Sequence, residues 1–352
     1  MKYYPMSCIW EITMGCNMRC GHCGSSCKEP LEGELTTEEA LELCDDIIAL
    51  GVKWITLSGG EPLTRKDWAL IAKKLSDAQL GVYLITNAWE MNEEVVSKAK
   101  ECKLQQISIS IDGTKEIHDS IRKPGAYERC EKAFAMLKKA GVDAGAVTTV
   151  TKRNLDILPE IRDDLTRLGA KTWQLQIGIP MGNLSEHPDW LIEPEDIKKI
   201  IDIAYEETLN NGLETVLADC IGYYTRKETI VRRRLNKPTY TFPVWDGCNA
   251  GIHTFGILHN GDVVGCTSLR NNMYVEGNVK ERSLGEIWDD PGAFSWNRKA
   301  RTDLLEGYCK NCIYVLKCKG GCSNVRLSFN NSMHSENKYC MYNLYMNKNS
   351  GD

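Results

Sequence analysis

Cys8-Ile9-Trp10-Glu11-Ile12-Thr13-Met14-Gly15-Cys16-Asn17-Met18-Arg19-Cys20-Gly21-His22-Cys23 runs from an apolar, β-prone stretch straight into a glycine and three closely spaced cysteines. A strand from Cys8 to Thr13 that ends on a loop of thiols is the unit from which the fold is read. Downstream the same plan recurs as an amphipathic helix, a glycine that ends it and a short apolar strand. Thr36 with Glu39 forms a capping box, Leu43, Ile47 and Leu50 share one helical face, and Gly51 terminates the helix before a strand at Trp54 to Ser58. Gly81 precedes Val82 to Thr86, Gly141 precedes Ala144 to Thr149 and Gly169 precedes Thr172 to Ile177, with a further strand at Gln106 to Ile111.

Six strands whose starts lie roughly 25 to 45 residues apart suit right-handed βα crossovers and a parallel sheet. The expected fold is α/β: a partial (β/α)6 TIM-like barrel over residues 1–184, a helical bridge over 185–247 and a small cysteine-rich domain over 248–352. In such barrels chemistry collects at the C-terminal ends of the strands. The residues there are Cys16, Cys20 and Cys23 after the first strand, Gly59-Gly60-Glu61-Pro62 after the second, Thr86-Asn87 after the third and Ser110 to Gly113 around the end of the fourth.

The balance of 43 basic and 48 acidic residues argues for neither a nucleic-acid nor a membrane partner. The N-terminus lacks a signal-peptide pattern and no stretch approaches the ~20 apolar residues of a membrane span, so a cytoplasmic location is expected. Sixteen cysteines in a reducing compartment point to metal rather than to disulfides.

The spacing C-x3-C-x2-C puts Cys16, Cys20 and Cys23 on one tight loop. A cubane cluster normally takes four cysteines, so three leave one iron open to the amino and carboxylate groups of a bound cofactor. A zinc loop completed by His22 or Cys27 is the competing reading. The motif resembles that of the radical S-adenosylmethionine (SAM) superfamily, in which the residue before the last cysteine is usually aromatic; His22 stands there. The resemblance implies that Gly59, Gly60 and Glu61 receive the methionine end of SAM, and that Asn87 and Ser110 add polar contacts. His118, Asp119 and Arg122 read as a solvated loop, and Cys8, Cys44, Cys102 and Cys130 as small buried hydrophobes.

Cys248 is followed by twelve residues, Gly261, four residues and Cys266; then come Cys309, Cys312, Cys318 and Cys322 as C-x2-C-x5-C-x3-C, and finally Cys340. This is similar to the seven-cysteine pattern of SPASM domains, with a pair of zinc ribbons as the alternative. The resemblance implies two auxiliary 4Fe-4S clusters beside the SAM-binding one: Cys248, Cys266 and Cys322 for the first, and Cys309, Cys312, Cys318 and Cys340 for the second. Seven thiolates cannot fully ligate two cubanes. The first cluster either keeps an open iron or takes a non-cysteine or remote ligand such as Cys220.

The resemblance implies reductive cleavage of SAM, hydrogen abstraction from substrate and an oxidative outcome completed by the auxiliary clusters, with a flavodoxin- or ferredoxin-type electron donor. The first expectation for substrate is a ribosomally made peptide or protein side chain, which would call for a separate leader-binding protein. The basic run Arg226 to Lys237 could hold an acidic leader, although a solvated helix is the plainer reading. The alternative substrate is a small metabolite, an alcohol or a tetrapyrrole side chain; a non-enzymatic zinc-binding module is the remote one.

Overall fold

The computed structural model describes residues 2–210, 212–234 and 245–349, and lysine 237 at the end of the basic run lies outside them. Six parallel strands form as the sequence predicts: β1 (Ser7–Thr13), β2 (Trp54–Gly59), β3 (Gly81–Thr86), β4 (Gln106–Ser110), β5 (Ala144–Val150) and β6 (Thr172–Ile177). The first crossover helix, Thr37–Leu50, is held by the reciprocal Thr36–Glu39 box and stops at Gly51, whose φ of 83° suits a residue without a Cβ. Trp10, Ile55, Leu57, Val82, Leu84, Ile107, Ile109 and Trp173 are fully buried between sheet and helices. Each such side chain is worth about 2 kcal/mol of transfer free energy.

Two features depart from the expected division. The helical bridge contains a seventh strand, β7 (Glu214–Leu217), parallel to β6. The cysteine-rich region opens with β8 (Thr254–Ile257), which pairs in parallel with β1. It continues through β9 (Asp262–Val264) and β10 (Val275–Asn278) as antiparallel neighbours. One ten-stranded sheet therefore runs β10-β9-β8-β1-β2-β3-β4-β5-β6-β7. Both edges of the six-stranded barrel are extended by strands too short to show a periodicity of their own. Among the described residues, no helix is long and apolar enough to cross a membrane.

The basic segment forms the helix Arg226–Arg234, but it is not uniformly solvated. Arg232 is buried, ion-paired with Glu228 and bonded to the carbonyls of Leu217 and Ile221, so it serves the packing beneath β7.

Candidate iron-sulfur site

The loop after β1 is set by backbone. Gly60 N–H donates to the Thr13 carbonyl at 2.7 Å and Glu61 N–H to the Gly15 carbonyl at 2.8 Å. A Cβ on Gly59 would strike the Thr13 carbonyl, and one on Gly60 the carbonyls of Met14 and Gly15. The glycine turn after β2 is thus the seat of the cysteine loop, and close approach between these two backbones is what requires glycine. Glu61 is 1% exposed, and its carboxylate accepts from Thr86 Oγ1 (2.7 Å), Asn87 N (2.7 Å) and Leu63 N (3.1 Å). Burial outweighs these donors and pushes its carboxyl up to about 7. The Glu61 carboxylate thus ties β2 to β3. Asn87 stands beside the cluster loop, its Nδ2 3.9 Å from Cys16 Sγ and 2.8 Å from Asn17 Oδ1. Ser110 is half-buried at the end of β4.

Cys16, Cys20 and Cys23 are drawn together on this seat. Burial, with smaller contributions from Cys23 and Cys16, lifts the Cys20 thiol to about 11. Cys23 is the opposite case. The Cys27 thiol donates to it and, with the backbone N–H groups of Cys27 and Ser25, brings it down to about 5 against the effect of burial. Cys27, which the sequence left ambiguous, is a partner of the loop. Among the described residues no three His, Cys, Asp or Glu side chains converge on a point as they would around a single ion.

The polar cluster downstream of β4 is interior, contrary to the solvated loop expected from sequence. Asp112, 0% exposed, accepts from Arg122 Nε at 2.5 Å and from Thr149 N at 2.9 Å, and is bonded to His22 Nε2 at 2.8 Å. Burial opposes its charge, but Arg122 and His22 outweigh that and hold the carboxyl well below the usual range. Arg122 also reaches Cys20 Sγ at 4.0 Å. His118 is buried and pushed down to about 4, chiefly by desolvation; its Nδ1 accepts from Asp112 N at 3.1 Å. Asp119 caps the next turn by accepting from Gly125 and Tyr127 N–H groups. Sequence reasoning missed the His22–Asp112–Arg122 chain. Its only local signal was a histidine in a place the family fills with an aromatic side chain.

The C-terminal cysteines fall into two groups. Cys309, Cys312, Cys318 and Cys340 line one small cavity, walled by Tyr223, Tyr224, Tyr308 and Tyr342. Burial, with smaller contributions from within the same set, raises Cys318 and Cys340 to about 12. Around Cys322, burial pushes the thiol well above its ordinary value, and Cys220, Cys248 and Cys266 raise it further. A clamp links this region to the N-terminal loop: Arg270, four residues after Cys266, is bonded to Glu11 of β1 at 2.5 and 3.2 Å and to Ser25 Oγ at 2.6 Å.

Comparison with known proteins bears on this arrangement. Residues 10–165 match the family model described as Radical SAM superfamily, and residues 248–313 match SPASM, described as an iron-sulfur cluster-binding domain. An AdoMet-dependent heme synthase of Methanosarcina barkeri is 33% identical, over 97% of this chain and 98% of that protein. A mycofactocin maturase of Mycolicibacterium smegmatis is 26% identical, over 90% of this chain and 78% of that protein. In structure the chain is similar to SuiB of Streptococcus suis bound to its precursor peptide SuiA. The TM-score is 0.76 at 16% identity, over 95% of this chain and 75% of that one, a likeness of fold.

Proposed function

This chain belongs to the radical SAM superfamily and carries a SPASM iron-sulfur domain, and from that premise we propose that it oxidises the side chain of a tetrapyrrole. We assign the SAM-binding cluster to Cys16, Cys20 and Cys23. Auxiliary clusters are assigned to Cys248, Cys266 and Cys322 and to Cys309, Cys312, Cys318 and Cys340. When bound, the first cluster and SAM supply a 5'-deoxyadenosyl radical able to take a hydrogen atom from substrate.

The chain's own groups hold and shield that chemistry. Cys27 and the backbone N–H groups around Cys23 favour its thiolate, the form that ligates iron. Arg122 sets a positive charge beside Cys20. Asn87 and Ser110, with the backbone of Gly59, Gly60 and Glu61, flank the position proposed for SAM. The tyrosine wall around Cys309, Cys312, Cys318 and Cys340 restricts water at that site.

The observation that carries the choice of substrate is the end-to-end similarity, 33% identical over nearly the whole of both chains, to a protein named AdoMet-dependent heme synthase. A second reading, oxidation of a ribosomal peptide, has the support of the mycofactocin maturase likeness, which is lower in identity and coverage. In either case a flavodoxin- or ferredoxin-type protein would deliver the electron, and the peptide reading would add a leader-binding partner. The test is anaerobic incubation of the reconstituted chain with SAM, dithionite and iron porphyrin precursors of heme. The expected result is heme, identified by mass and absorption, together with 5'-deoxyadenosine. Unchanged porphyrin beside a modified precursor peptide would select the second reading.

A further inference from the structure

The fourth ligand of the first auxiliary site is settled neither by the seven-cysteine pattern nor by the family match. The structure brings an eighth cysteine to it. Cys220 lies just past β7, in a turn whose next residues Gly222, Tyr223 and Tyr224 all have positive φ, at 96°, 125° and 55°. That turn folds the chain back so that the Tyr223 hydroxyl donates to the Asp219 carbonyl at 2.6 Å and accepts from Cys322 N–H at 2.9 Å. The peptide bond leading into Cys220 and the amide of Cys322 are therefore pinned to one oxygen atom. Gly321 makes room for this, since a Cβ there would meet the Tyr223 ring at 2.7 Å.

Cys220 is buried and lies with Cys248 and Cys266 around the Cys322 thiol. Cys102 and Cys130 instead donate their thiols to carbonyls, of Ala69 and of Asn87 and Ser110.

We infer that Cys220 completes the site formed by Cys248, Cys266 and Cys322, giving a cubane with four cysteine ligands and no corner open to substrate. This rests on reading the region as an iron-sulfur site, and it assigns that cluster to electron transfer rather than substrate ligation. The Asp219 carboxylate, within 4.0 Å of Arg232, is the competing fourth ligand.

The test uses the full chain carrying Cys16→Ala, Cys20→Ala and Cys23→Ala, so that only the auxiliary centres are read. It is reconstituted anaerobically to about eight irons, and the EPR spectrum of the reduced protein is recorded with and without cyanide. The parent should not respond. Adding Cys220→Ala should alter one of the two reduced signals and make it sensitive to cyanide, whereas Cys220→Ser should retain a closed site with a shifted signal. The inference is overturned if the parent already responds to cyanide, if Cys220→Ala leaves both signals as they were, or if Asp219→Asn produces the change instead. Absence of any auxiliary iron in the parent would overturn it together with the cluster assignment, whereas SAM cleavage by the unmodified chain tests the N-terminal site separately.

Discussion

Arg122 illustrates a site assembled from residues far apart in the chain. Its guanidinium joins Asp112 to Cys20, and His22 approaches the same carboxylate from inside the cysteine loop. Both members of the ion pair are withdrawn from water, with side-chain exposures of 10% and 0%. Removing Arg122 leaves the buried Asp112 carboxylate with His22 and the Thr149 N–H alone, and breaking a buried ion pair costs about 3 to 5 kcal/mol. Arg122→Met should therefore lower the apparent melting temperature and deplete iron from the N-terminal site before the auxiliary ones, while Arg122→Lys recovers part of both; differential scanning calorimetry with iron analysis checks this. Glu61 provides a pH signature. Its folded value of about 7 lies above that of an unfolded glutamate, so the folded state binds the extra proton. The stability this contributes is complete below about pH 4.5 and is lost as pH rises through 7, by on the order of 3 kcal/mol. Glu61→Gln should flatten that loss, so wild type and variant should diverge in apparent melting temperature between pH 5 and pH 8. Parallel curves would show that Glu61 does not titrate there. None of these partnerships could be read from sequence, because His22 and Asp112 are 90 positions apart. What could be read was the local chemistry of the cysteine spacing and the glycine pair.

At the scale of elements, the six strands of the barrel are legible because each carries apolar residues bounded by a glycine or a turn. β7 escaped because Glu214-Thr215-Val216-Leu217 is too short to show a period, and β8 because its partner is β1, far back in the chain. The glycine turn between β2 and the following helix was recognised from its motif, and the structure adds a packing task to it. It receives the β1 loop, and Glu61 braces it from below. Gly60→Ala should displace that loop, because the added methyl meets the carbonyls of Met14 and Gly15. The expected outcome is loss of SAM cleavage by more than tenfold with auxiliary iron retained, measured as 5'-deoxyadenosine per chain. The turn at Gly222 to Tyr224 plays the corresponding part for the C-terminal cysteines. Tyr223→Phe removes the hydroxyl that Cys322 N–H depends on, and burying that donor without a partner costs about 1 to 3 kcal/mol.

Across the whole molecule, one sheet carries both ends of the chemistry. The cysteine-rich region adds β8, β9 and β10 to the β1 edge, and the Arg270 clamp to Glu11 and Ser25 locks it onto the cysteine loop. The cysteine loop and the C-terminal cysteines are thus held in one frame, as the proposed electron exchange between them would require. The grouping of Cys309, Cys312, Cys318 and Cys340, which line a single cavity, was implied by the resemblance that their spacing carries, whereas the neighbourhood of Cys322 depends on a turn no local pattern announces. The most direct measurement is iron content and SAM cleavage in the anaerobically reconstituted chain, with Cys16, Cys20 and Cys23 intact or all replaced by alanine. The intact chain should hold about 12 irons and release 5'-deoxyadenosine under a strong reductant, and the triple variant should keep about eight irons and release none. Cleavage of SAM by the triple variant would contradict the assignment of the loop and the chemistry built upon it.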